Sequence, residues 1–144
     1  MPGGGAGPEG PPARVLDRFA GAPVARLARV SPDGPRIVPV TFTWHHGMAV
    51  WAVDDVKPKR GGELRRLRDL EADARVALLV DHYEDDWSAL WWVELRGIAS
   101  RLHGETAEAA LDALAARYPA YLRDRPPGPV IAIQPERWTW WSAR

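Results

Sequence analysis

Apolar and polar positions alternate along the first third of the chain. Residues 24–30 place Val24, Arg26, Ala28 and Val30 on one face and Ala25, Leu27 and Arg29 on the other, which is the period of a β-strand. Ser31-Pro32-Asp33-Gly34 is a strong turn signal. The β-branched and aromatic run over 36–44 therefore predicts a second strand.

This second strand contains a proline, and a third strand follows it. Pro39 predicts an edge position, a bulge or a point where the ladder opens, because proline has no backbone N–H to donate. His45-His46-Gly47 is typical of a hairpin turn, and it leads into an apolar strand over 48–53. Later strands are predicted at 75–81, 90–102 and 130–141, with Pro135 marking a bulge or an edge.

Helical spacing appears in three places. A short helix is predicted over 14–20, a second around Leu64, Leu67 and Leu70, and a third over 105–118, where Pro119 ends it. One stripe of the third helix consists of Ala107, Ala110, Leu111, Leu114 and Tyr118. Because strands joined by short turns dominate, the order predicts a mainly antiparallel β-barrel flanked by helices.

The chain is expected to hold one domain. Its 144 residues suit a single core over residues 13–144. Residues 1–12 contain five glycines and four prolines, so they are predicted to be a disordered tail that buries too little apolar surface to offset its ordering entropy.

Composition removes several classes of function. The net charge is zero, which argues against a general nucleic-acid binder. The chain has no cysteine, so it has neither a thiolate nucleophile nor a cysteine metal site. No apolar run approaches the roughly 20 residues of a membrane span, and no signal pattern is visible, so a cytoplasmic protein is expected.

The two lysines of the chain, Lys57 and Lys59, flank Pro58 and precede Arg60, Gly61 and Gly62. Basic residues followed by glycines at the start of a helix are typical of an anion site, because free N–H groups and the helix dipole face the bound charge. A solvated basic turn fits the same residues equally well.

Other candidate chemistry is weaker. The serines are scattered outside any nucleophile motif, and no catalytic residue is assigned. His45 and His46 would diverge to opposite faces of a strand, and neither they nor the cluster around His82 has metal-site spacing. His82, beside Tyr83, could donate a proton in a cleft. Trp87 could cover a planar ligand, although an anchor for its loop is an equally simple role.

Six segments carry a likeness to a known family. They are 26–30 with Pro32-Asp33-Gly34; Val38-Pro39-Val40-Thr41-Phe42; Ala52-Val53-Asp54 with Lys57-Pro58-Lys59; Leu64-Arg65-Arg66-Leu67; 75–83; and Asp85-Asp86-Trp87 leading into 90–93. In this order they resemble the split β-barrel proteins related to pyridoxamine 5′-phosphate oxidase. Within that family they are most similar to a small actinobacterial branch that depends on the deazaflavin coenzyme F420.

The resemblance implies a homodimer with two cofactor sites at the subunit interface. In such proteins the positions matching Lys57 and Lys59 bind the cofactor phosphate. Those matching Pro39, Val40, Thr41, Ala52 and Val53 line the ring and ribityl chain, and the one matching Trp87 approaches the ring. The implied function is an F420-dependent oxidoreductase that transfers hydride to or from a small organic molecule.

Two alternatives stay open. The same barrel also holds flavin mononucleotide (FMN), so an FMN-dependent oxidoreductase or oxidase is the first. A non-catalytic protein that binds or carries F420 is the second, because hydride transfer needs no obligatory side chain when the cofactor is the hydride carrier.

Overall fold

The computed structural model describes residues 2–53 and 62–144, with 62–64 described by their backbone alone. Its strands are β1 (Gly3–Gly7), β2 (Ala25–Ser31), β3 (Gly34–Val40), β4 (Thr43–His45), β5 (Met48–Ala52), β6 (Arg75–His82), β7 (Trp91–Leu102) and β8 (Val130–Ser142). Its helices are α1 (Ala13–Gly21), α2 (Gly62–Ala72), α3 (Gly104–Arg117) and α4 (Pro119–Arg123), and a short 3₁₀ helix, Trp87–Ala89, precedes β7.

The strands form one antiparallel sheet in the order β3-β2-β6-β7-β8-β5-β4, with β1 added against β8. This confirms the prediction of a mainly antiparallel β domain with flanking helices. Within the described residues, no helix is long and apolar enough to cross a membrane.

The period-2 pattern of the strands builds the main core. Leu27 pairs with Leu78, Leu78 with Leu95, and Leu95 with Trp138, so one buried row crosses four strands. Phe19 of α1 closes this row, with its ring centroid 5.1 Å from that of Trp138. The predicted first helix is thus confirmed, and its apolar side packs against the main core.

A second core lies beneath α3. The predicted stripe of this helix is confirmed, since Ala110, Leu111 and Leu114 are buried against Val50 of β5 and Ala132 of β8. The helix ends at Arg117, and Pro119 then occupies the first turn of α4, where its missing N–H leaves no helical hydrogen bond unmade.

Both proline predictions in the strands are confirmed. Pro39 lies on the edge strand β3, and the ladder opens just after it, at Thr41 and Phe42, so the predicted strand over 36–44 is two strands. Pro135 lies at a bulge: Arg96 pairs with Arg137 and Gly97 with Pro135, which leaves one extra residue on β8.

The predicted disorder of residues 1–12 is wrong for residues 3–7. Gly3–Gly7 forms β1 and pairs with β8 from Trp138 to Ser142. The tail buries few side chains, but its backbone pairs with β8 and packs closely on it. A Cβ atom on Gly4 would lie 2.4 Å from the Trp140 carbonyl oxygen, a distance that side chains do not tolerate. The domain boundary at residue 13 stays a prediction.

Candidate functional site

The predicted ring-binding segment lies where β3 leaves the sheet. Pro39 is exposed and pairs with Arg26, whereas the Val40 side chain is buried in the main core. Thr41 follows in the gap between β3 and β4, half-buried, with its hydroxyl 2.9 Å from that of Tyr121. Val40 can therefore offer a ligand its backbone but not its side chain.

The second predicted wall is the end of β5. Ala52 is buried in the core beneath α3, and Val53 follows it, half-buried. The Val53 N–H donates to the Pro129 carbonyl at 3.1 Å, and the Val53 carbonyl accepts from the Gly128 N–H at 3.2 Å. The backbone of Val53 is thus fixed to the segment that leads into β8.

The topology brings these two walls together. Thr43 pairs with Val50 in the β4–β5 hairpin. Thr41 lies two residues before β4, and its hydroxyl contacts that of Tyr121, which is buried in the same core cluster as Ala52. Among the predicted site residues, this pair of strand ends is the part that the fold assembles.

Lys57 and Lys59 lie outside the described residues. The helix that follows them is fixed at its far end, where the buried Arg29 guanidinium of β2 donates to the buried Asp69 carboxylate of α2 at 2.9 Å. This pair links α2 to β2, the strand that pairs with the edge strand β3.

Trp87 opens the 3₁₀ helix and is 79% exposed. Its turn is held by Asp86, whose carboxylate accepts from the Ser88 N–H at 3.1 Å and from the Ser88 hydroxyl at 2.7 Å. These hydrogen bonds from Ser88 lower the pKa of Asp86. Trp87 precedes β7, which begins opposite Ser142, whereas Ala52 pairs with Val130 at the other end of β8. An anchored tryptophan would be buried, so Trp87 is not an anchor for its loop.

His82 lies near Trp87 in the chain and is exposed. Its ring stacks on Trp91 at 6.5 Å, and its Nε2 contacts the Glu84 carboxylate. Trp91 also pairs with Ser142 of β8. Arg18 of α1 lies 5.6 Å from the centroid of the Trp91 ring and donates to the Ser142 hydroxyl at 3.2 Å. The proton-donor role of His82 stays a prediction.

The expected divergence of His45 and His46 is wrong. Their ring centroids are 4.1 Å apart, because His46 is in the left-handed region at φ 49° and belongs to the turn, not to a strand. Burial, followed by the neighbouring His46, lowers the pKa of His45. In the described part of the chain, no group of side chains has the composition of a metal site.

The outward face of the sheet carries an open groove of about 370 Å³. Its lining combines the aromatic side chains of Tyr83 and Trp92 with Leu79, Asp81 and Glu94. Ile37, on the same sheet, is 67% exposed. Exposed apolar side chains on a sheet face are typical of a surface that another molecule covers.

Sequence reasoning missed the side chains that hold the gap between β3 and β4. Arg117, Tyr118 and Tyr121 reach it from α3 and α4. Tyr118 was placed in the apolar stripe of α3 by its spacing, but no local signal shows that its hydroxyl meets a backbone 76 residues away.

An antiparallel sheet with helices packed against it is the architecture expected of a split β-barrel. Comparison with family models makes the family definite: the pyridoxamine 5′-phosphate oxidase model matches residues 12–142, so the chain belongs to that family. Comparison with curated proteins finds no match.

Solved structures show the same fold. An FAD-binding protein from Mesorhizobium loti has a TM-score of 0.67 and 15% identity, over 98% of this chain and 97% of the other. A conserved hypothetical protein from Mycobacterium tuberculosis has a TM-score of 0.76 and 18% identity, over 94% and 87%. A haem-binding protein from Mycobacterium smegmatis has a TM-score of 0.69 and 24% identity, over 92% of this chain but 55% of the other.

Proposed function

We propose that this protein is an F420-dependent oxidoreductase of the deazaflavin branch of its family, which reduces a small organic molecule. The observation that carries the proposal is that Tyr121 links Thr41, just after β3, to the core that contains Ala52 at the end of β5, and that Lys57 and Lys59 follow in the chain. This arrangement offers backbone walls for a flat ring and cationic side chains for an acidic tail.

The residues act by binding and orienting. The backbone of Pro39, Val40 and Thr41 and the end of β5 at Ala52 and Val53 line the ring and ribityl chain. Lys57 and Lys59 bind the phosphate as point charges. F420, when bound, supplies the hydride, so the protein needs to position the ring and keep water from it.

Trp87 covers the ring in this proposal. Its exposure leaves the indole available to a ligand, and its place at the Ser142 end of β8 separates it along that strand from Ala52. We propose that two copies of the chain form a homodimer and that Trp87 reaches the ring from the partner. The exposed apolar groove and Ile37 support a second copy on the outward sheet face.

The lysine pair gives the direct mutational test. The Lys57→Ala, Lys59→Ala variant should bind F420 more weakly by roughly a hundredfold or more, since two charge-assisted contacts of about 1.5–3 kcal/mol each are lost. The measurement is the quenching of tryptophan fluorescence during titration with F420.

The matched control removes two arginines that are exposed on α1 and α4. Arg14→Ala, Arg123→Ala has the same change in net charge as the lysine variant and should bind F420 like the parent. Equal affinity of the lysine variant and the parent would remove Lys57 and Lys59 from the site.

FMN is the second candidate cofactor, favoured by the fold shared with the FAD-binding protein from Mesorhizobium loti. A yellow protein on purification would support it. A carrier differs from both enzymes in a turnover assay: it would bind F420, yet reduced F420 would not be oxidised when enones, quinones and nitroaromatics are supplied.

A further inference from the structure

The gap between β3 and β4 is held by side chains from the helices rather than by the sheet. Phe42 lies between β3 and β4, so its backbone groups need partners outside the strand ladder. The Phe42 N–H donates to the Tyr118 hydroxyl at 3.1 Å. The Phe42 carbonyl accepts from Arg117 at 2.6 Å and from the Tyr118 hydroxyl at 2.7 Å.

Arg117 also ties this gap to α1. Its second terminal nitrogen donates to the carbonyl of Ala22, just after α1. Its guanidinium lies 5.1 Å from the Phe42 ring centroid and 5.2 Å from that of Tyr118, within cation–π range. One planar group therefore fixes Phe42, α1 and α3 relative to one another.

The two tyrosines complete the arrangement. The Tyr118 hydroxyl also lies 2.9 Å from the Pro23 carbonyl, a second acceptor for the same proton, and burial raises the pKa of Tyr118, which favours the protonated hydroxyl. Tyr121 is 4% exposed, and its hydroxyl lies 2.9 Å from that of Thr41. This bond fixes the side-chain rotamer of a residue in the predicted ring-binding segment.

We propose that Arg117, Tyr118 and Tyr121 form a clamp that positions the ring-binding segment Pro39-Val40-Thr41, so that the α3–α4 pair sets the affinity for the cofactor. The clamp residues are positioning residues, because they act through Thr41 and Phe42. This inference rests on the proposed function, since it assumes that the segment contacts the cofactor.

The hydrogen bond between Tyr121 and Thr41 can be removed from either side by deleting one hydroxyl oxygen. Tyr121→Phe and Thr41→Val each delete one hydroxyl and should weaken F420 binding roughly 2- to 10-fold, the range for one hydrogen bond. The effect of the double variant on Kd should be smaller than the sum of the two single effects, because the two hydroxyls contribute to one shared bond. Thr41→Ser keeps the hydroxyl and should recover part of the affinity.

Thr106→Val is the control, because it makes the same chemical change as Thr41→Val at a threonine that is exposed on α3. It should bind F420 like the parent. A clamp that only stabilises the fold would lower the melting temperature of Tyr121→Phe while leaving its Kd for F420 equal to that of the parent, and this result would overturn the inference.

Failure of the proposed function and failure of the clamp would give different binding results. If the parent binds neither F420 nor FMN, the proposed function is wrong, and the clamp has no cofactor to position. If the parent binds F420 and the Tyr121 and Thr41 effects on Kd are additive, the proposed function stands and the clamp is wrong.

Discussion

The Arg29–Asp69 pair is a buried charge pair in a position that the apolar spacing of β2 does not predict. Arg29 occupies a position on the buried face of β2, in line with Ala25 and Leu27, where an apolar side chain would be expected. It is accommodated because the buried carboxylate of Asp69, on α2, accepts a hydrogen bond from its guanidinium. Either side chain alone would be an unpaired buried charge, which is why the pair links β2 and α2 tightly.

Removing the charge of either Arg29 or Asp69 should therefore destabilise the fold. Asp69→Asn is expected to lower the free energy of unfolding by about 3–5 kcal/mol, because the Arg29 charge is left buried without compensation. Chemical denaturation followed by tryptophan fluorescence measures the change.

Asp73→Asn is the matched control. Asp73 makes two contacts with Arg75, at 3.0 and 2.7 Å, and these hold the pKa of its carboxyl at about 2, but the pair is exposed. Exposed pairs contribute little, so this variant should unfold like the parent. Equal stability of the two variants would show that burial of the Arg29–Asp69 pair has no energetic consequence.

Side-chain roles that depend on distant contacts were the ones that the sequence could not predict. The spacing of Tyr118 and its apolar neighbours gave the helix correctly, but Tyr121 meets Thr41 across 80 positions of the chain. Similarly, His46 lies beside His45 because a turn rotates its backbone, and the sequence signal for that turn said nothing about the rings.

At the level of the elements, periodicity predicted most of the fold. The strands β2, β5, β6, β7 and β8 and the helices α1 and α3 lie where they were predicted, because each has regularly spaced or continuous apolar side chains that are buried; β5 and the start of β8 bury both faces. β1 escaped prediction for the same reason. A strand made almost entirely of glycine has no alternation of apolar and polar side chains that could indicate it in the sequence. Its stability comes from its backbone pairing with β8.

This account of β1 predicts a position-specific effect of alanine. Gly4→Ala should lower the melting temperature, because its Cβ would lie 2.4 Å from the Trp140 carbonyl oxygen and β1 would have to shift away from β8. Gly3→Ala should have no effect, since nothing lies within 4 Å of its Cβ. Thermal unfolding of both variants beside the parent is sufficient, and equal melting temperatures would contradict the close packing of β1.

At the scale of the whole molecule, α3 covers the outward face of the sheet at β5 and β8, but the part of that face on β2 and β3 has no cover within the described residues. Val30, Ile37 and Tyr83 expose 41%, 67% and 63% of their surface on or beside this sheet. The proposed homodimer accounts for this face and brings a second Trp87 to each cofactor site. Two sites that share residues across an interface would lose cofactor binding when the dimer separates.

A charge on this face should separate the dimer. Ile37→Asp is expected to sediment as a monomer and to bind F420 more weakly than the parent. Leu122→Asp places the same charge at a leucine that is 71% exposed on α4, so it should sediment as a dimer. A parent protein that sediments as a monomer while it binds F420 would contradict the shared site.

The central claim is that the two strand ends and the lysine pair bind a deazaflavin. The most direct measurement is a titration of the parent protein with F420 and, separately, with FMN, followed by tryptophan fluorescence. We predict saturable quenching at lower concentrations of F420 than of FMN, and an F420 affinity that weakens with added salt, because salt screens exposed lysine–phosphate contacts. Much tighter binding of FMN, or no binding of F420, would contradict the account.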